Sequence, residues 1–116
     1  FGHAIEAYSG YHDFKHGEAV GLGMLCALKW QGQVEIAEAL RLLYKAWNLP
    51  IEIPVEYDPQ RLFELMLHDK KKSMAAIRLI LLDKIGQGII YTESDLQRLR
   101  NFMSQIHDAR QSDRTV

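Results

Sequence analysis

The chain has 116 residues, 47% of them apolar and 25% charged, the make-up of one ordinary globular domain rather than of a disordered, collagen-like or disulfide-scaffold protein. With 14 basic and 15 acidic residues the net charge is −1, which offers no electrostatic footprint for nucleic acid or an anionic membrane. The single cysteine, Cys26, points to a reducing, cytoplasmic compartment, and no apolar run approaches the roughly 20 residues that span a bilayer.

The chain opens as Phe1-Gly2-His3-Ala4-Ile5-Glu6-Ala7, without a Met and without a signal-peptide pattern. We expect it to continue upstream as part of a longer protein. His3 to Tyr8 reads as a helix stopped by Ser9-Gly10, and Tyr11 to Lys15 as a short loop with aromatics. His16 to Trp30 is small and apolar. Gly17, Gly21 and Gly23 each lower its helix propensity by roughly 1 kcal/mol relative to Ala. A helix with so many glycines implies a neighbour that approaches closely. Val34 to Trp47 carries a helical stripe at Ile36, Ala37, Leu40, Leu43, Tyr44 and Trp47. Pro50 and Pro54 bracket an extended Ile51-Glu52-Ile53.

Asp58-Pro59 is a helix start, with Asp as N-cap and Pro at the first helical position. The helix carries Leu62, Phe63, Leu65, Met66 and Leu67 and ends in Asp69-Lys70-Lys71-Lys72-Ser73. Ile77 to Ile85 fits a strand, Gly86-Gln87-Gly88 a turn, and Ile89-Ile90-Tyr91 a second strand. Thr92 or Ser94 is expected to cap a last helix with Leu96, Leu99, Phe102, Met103 and Ile106 on one face. The polar tail over 109–116 should fray. The expected fold is therefore mainly α: one multihelical domain over 1–116 with a small β-hairpin around residues 77–91. The alternation of a doubly wound sheet is missing, as is a G-x-G-x-x-G, so a nucleotide site belongs elsewhere in a longer protein.

Two histidines are candidates for chemistry. His3 sits in a Gly-His-Ala-Ile-Glu turn and His16 opens the Gly-rich helix as His16-Gly17-Glu18-Ala19-Val20. A turn at Ser9-Gly10 between them lets two helix ends converge on one pocket. Imidazole is a ligand for a borderline metal such as Zn²⁺ and a group suited to proton transfer. Two histidines do not complete a catalytic zinc centre, which takes three protein ligands. On spacing alone isolated histidines are more often surface or capping groups, and His12, His68 and His107 read as structural or solvated. Glu6 and Glu18 are candidates to orient the histidines from behind; Glu18 would equally favour the positive end of its helix. Lys70 to Lys72 either complement a helix C-terminus or contact a phosphate or carboxylate. Cys26, mid-helix among apolar residues, reads as inert packing.

The string Phe1-Gly2-His3-Ala4-Ile5-Glu6-Ala7, then Gly10-Tyr11, then His16-Gly17-Glu18-Ala19-Val20-Gly21-Leu22-Gly23-Met24 closely resembles the 3-dehydroquinate synthase family, with its G-H-T-x-G-H-A-I-E and H-G-E-A-V-x-x-G-M segments. Asp69-Lys70-Lys71, Arg78-Leu79-Ile80-Leu81-Leu82 and Ile85-Gly86 resemble a second family segment, D-K-K…R-x-x-L-L…I-G, in the same order. The resemblance implies the helical C-terminal domain of a dehydroquinate synthase-like fold, with an NAD-binding Rossmann-like domain before it. It implies a carbon–oxygen lyase of the shikimate pathway, in aromatic amino-acid and chorismate biosynthesis. The family uses NAD and a divalent metal, Zn or Co, to convert the sugar phosphate 3-deoxy-D-arabino-heptulosonate 7-phosphate into 3-dehydroquinate.

Position by position, the resemblance makes His16 a metal ligand and His3 a catalytic residue near the phosphate and the proton-transfer steps. It gives the substrate's phosphate end to Lys70 or Lys71, and Glu18 a supporting part. The first histidine ligand, the glutamate ligand and further substrate contacts would fall upstream of Phe1, so this chain by itself is expected to be inactive. Where the family has a glycine after the lysines, often followed by a basic residue, the chain reads Lys72-Ser73-Met74-Ala75-Ala76-Ile77. That departure leaves a related sugar-phosphate cyclase as the second reading, and the ligands expected upstream of Phe1 leave a non-catalytic helical assembly module as the third. The resemblance implies a homodimeric parent protein, with no nucleic-acid or membrane partner.

Overall fold

A computed structural model of the chain describes residues 1–10, 12–68 and 76–115. Among the described residues, five helices and two strands follow in the order α1 (Gly2–Tyr8), α2 (His16–Trp30), α3 (Val34–Ala46), α4 (Pro59–His68), β1 (Ile77–Lys84), β2 (Gln87–Glu93) and α5 (Leu96–Thr115). This is the expected mainly α architecture with one hairpin. Among the described residues no helix is long and apolar enough to cross a membrane.

The glycines of α2 set the central crossing. A Cβ on Gly23 would lie 2.6 Å from the Gly2 nitrogen and 2.8 Å from its Cα, so the first turn of α1 rests directly on the α2 backbone. A Cβ on Gly21 would likewise lie 3.3 Å from the Tyr44 ring of α3. The close neighbour expected from composition is thus present at two of the three glycines. Gly17 faces open space.

The core gathers around Ile5 of α1, Leu22 of α2 and Leu99 of α5, all fully buried. Leu62, Phe63 and Met66 of α4 and the inward face of β1 close it. Strand β1 alternates as expected of a half-buried strand: Ile77, Leu79 and Leu81 point in while Arg78 and Ile80 point out. Its antiparallel register pairs Ile77 with Glu93, Leu79 with Tyr91 and Leu81 with Ile89. Trp30 at the end of α2 meets Phe102 of α5 edge-on at 5.1 Å, and Arg98 lies 4.3 Å over the Trp30 ring while pairing with buried Glu93 at 2.8 Å.

Several local expectations need correction. The chain reverses at Ile85-Gly86, not across Gly86-Gln87-Gly88, because Gly86 at φ +90° is enough to turn it and Gln87 already pairs with Lys84. With β2 running on to Glu93, Thr92 is a strand residue, and α5 is capped by Asp95, whose Oδ1 accepts the Arg98 amide at 3.1 Å. Helix α5 takes in the polar tail from residue 109 through Thr115. In α3 only part of the apolar stripe is covered. Ala37 and Tyr44 are buried, but Leu43 and Trp47 are exposed, because the main neighbour of α3 is the narrow, Gly-containing face of α2. Asp58 does cap α4, its Oδ1 accepting the Gln60 amide at 3.0 Å. The lysine run that follows α4 lies outside the described residues.

Candidate functional site

The loop between α1 and α2 returns the chain so that the end of one helix faces the start of the next. Ser9 closes α1, its hydroxyl donating to the Glu6 carbonyl at 2.9 Å, and Gly10 takes φ +65° to turn the backbone. At the other side Lys15 precedes α2, and its amide donates to Glu18 Oε1 at 2.8 Å. That is the carboxylate half of a capping box, and it fixes where α2 begins. His16 is the first residue of that helix.

The outcome is one specific contact. Both carboxylate oxygens of Glu6 lie 3.1 Å from His16 Nδ1. The Glu6 side chain is 15% exposed and the imidazole 70% exposed, so the carboxylate is set into the seam between α1 and α2 while the ring projects from it. Of the two acidic residues that sequence left open for orienting a histidine, Glu6 does so, and Glu18 caps its own helix. His3 lies one turn before Glu6 on α1 and is exposed. Lys70 and Lys71 lie outside the described residues. His107 is structural, its Nε2 2.9 Å from the Val55 carbonyl, and His12 is exposed. Cys26 is buried in the core.

A carboxylate behind one ring nitrogen, with the other turned outward, is the usual setting of a metal-bound histidine. The donor chemistry at His16 therefore fits one ligand of a zinc-type centre. Among the described residues no group of three or more His, Cys, Asp or Glu is placed to hold an ion. The described sheet has two antiparallel strands and no parallel crossover. A small, mostly apolar cavity of about 140 Å³ lies between α2 and α3, walled by Val20, Gly21, Met24, Tyr44, Leu49 and Pro50 and bordered by Gly17 and Glu18. It includes neither His3 nor His16.

The family model for the 3-dehydroquinate synthase C-terminal domain matches residues 1–72. The chain belongs to this family. Curated relatives called 3-dehydroquinate synthase agree with it. The one from Methylococcus capsulatus is 41% identical over 106 residues, 86% of this chain and 29% of its own length. That from Psychrobacter arcticus is 40% identical over 111 residues, 90% of this chain and 28% of its own. That from Pseudoalteromonas atlantica is 36% identical over 109 residues, 89% and 30%. The chain thus spans less than a third of the length of these relatives. The family match takes in α1, the turn and all of α2, and so includes both Glu6 and His16.

Proposed function

We propose that this chain is the metal- and substrate-binding domain of a 3-dehydroquinate synthase. The full protein would convert 3-deoxy-D-arabino-heptulosonate 7-phosphate to 3-dehydroquinate with release of phosphate, as a cytoplasmic, homodimeric enzyme. The observation that supports this most is His16 itself: it opens the family's H-G-E-A-V helix with one ring nitrogen against a carboxylate.

In this reading His16 holds a divalent metal, Zn or Co, together with ligands from a preceding domain. The bound ion supplies Lewis acidity toward a substrate hydroxyl. NAD is assigned to that preceding domain. His3, exposed in the first turn of α1, is suited to hold or pass a proton, since imidazole carries both a donor and an acceptor. Lys70 or Lys71 supplies a compact positive charge for the phosphate end. Glu18 supports the site by fixing the start of α2.

The test is an assay of the full-length gene product with the heptulosonate phosphate, NAD and Zn²⁺ or Co²⁺. We expect phosphate release matched by 3-dehydroquinate, a fall of about 100-fold or more in His16→Ala, and no turnover by the 116-residue chain alone. Turnover of a different sugar phosphate in its place would instead identify a related cyclase, the reading motivated by Lys72-Ser73-Met74.

A further inference from the structure

We infer that Glu6 is a positioning residue that fixes His16 in the tautomer with its proton on Nδ1, leaving Nε2 as the metal-binding nitrogen. The inference rests on the proposed reading of His16 as a ligand and adds which atom binds and what selects it.

A carboxylate offers only acceptors, and both Glu6 oxygens stand 3.1 Å from Nδ1. Nδ1 must therefore be the donor. A neutral imidazole has one ring proton, so Nε2 is left with a lone pair. A solvated imidazole prefers the opposite arrangement, with the proton on Nε2, which would block that nitrogen as a ligand. Glu6 reverses the preference before any ion arrives. The contact also sets the aim of the ring, because the two groups are anchored on different elements. Glu6 follows buried Ile5 on a helix pressed against the α2 backbone at Gly2 and Gly23. His16 is the first residue of a helix whose start Glu18 fixes. The oxygens are set into the seam and the ring projects from it, so Nε2 is presented outward, where ligands from another part of the protein would meet it.

A bare surface ion pair would need the same two groups but a protonated ring, and it would have no bearing on metal affinity. The experiment separates the two in the full-length protein. With histidine-selective ¹⁵N labelling at about pH 8 and no metal, where an unperturbed imidazole is neutral, the His16 ring signals identify the protonated nitrogen. They are assigned by their loss in His16→Ala. We expect Nδ1–H in the native protein and a shift toward Nε2–H in Glu6→Ala. Zinc affinity, read by competition with a chromophoric chelator, should weaken about 10–100-fold in Glu6→Ala. Glu6→Gln keeps an acceptor oxygen for Nδ1–H and should recover most of that loss.

If Glu6→Ala does not fold, the native tautomer and Glu6→Gln still decide. A native His16 with its proton on Nε2 overturns the inference. So does native zinc affinity in Glu6→Ala when His16→Ala has lost it. Native zinc affinity in His16→Ala would instead overturn the metal reading on which the inference rests.

Discussion

At Gly23 a single hydrogen in place of a methyl group decides how close two helices come. The Cβ of an alanine there would sit 2.6 Å from the Gly2 nitrogen, a backbone atom that no side-chain rotation can move away. Gly23→Ala should force α1 off α2 and cost about 1–3 kcal/mol, read as a lower urea midpoint. Gly17→Ala should act in the opposite direction. It meets nothing within 4 Å, so alanine's better helix propensity adds stability of up to about 1 kcal/mol. Sequence marks both residues as equally poor helix formers and cannot separate them. Glu6 and Glu18 present the same ambiguity: each is an acid near a candidate histidine, and only the crossing of α1 over α2 assigns one to His16 and the other to the Lys15 amide.

Among the elements, the hairpin depends on a side chain far from it in sequence. The Gln31 amide donates to the Leu82 carbonyl at 2.7 Å and accepts the Leu82 amide at 2.9 Å, so it pairs with β1 as a short piece of extra strand would. Two strands alone are marginal in water, and this clamp adds a third partner at the end of α2. Gln31→Ala should cost about 1–2 kcal/mol, the net worth of two such hydrogen bonds, and should speed hydrogen exchange of the Leu82 amide ahead of the core amides. The boundaries of α1, α2, α4 and β1 follow from capping and periodicity within each segment. Those of β2 and α5 do not, because Gln87, Gly88 and Thr92 are paired by β1 across the ladder, whereas local turn and cap preferences would release them.

Across the whole molecule, Tyr57 ties segments that are distant along the chain. Its ring stacks on Tyr8 at 4.1 Å and its hydroxyl donates to Asp13 at 2.5 Å, although the residue is only 4% exposed. Burial, and then the Asp13 carboxylate as hydrogen-bond acceptor and negative charge, push the Tyr57 phenol well above the ordinary range. Burial raises Tyr44 as well. A group whose folded value is raised stabilises the fold fully below its unfolded value, near pH 10, and loses that contribution as pH climbs toward the folded value. The urea midpoint should therefore be flat from about pH 8 to 9 and fall beyond about pH 10. Tyr57→Phe should start lower, by about 1 kcal/mol for the lost hydrogen bond, with a shallower alkaline decline.

Order along the chain is enough to make it helical with one hairpin, to carry the family's paired motifs, and to place His16 at the start of the Gly-rich helix. These are set by neighbours within a few residues, through propensity, capping and apolar period. Packing between elements is what sets Glu6 behind His16, gives a neighbour to Gly23 and not Gly17, completes the hairpin with Gln31, and leaves Leu43 and Trp47 uncovered. Each depends on groups brought together from 10 to 51 residues apart, or on which helix face finds a partner. Helix crossings set those distances, and the crossings follow from how the small and large side chains of the core fit together.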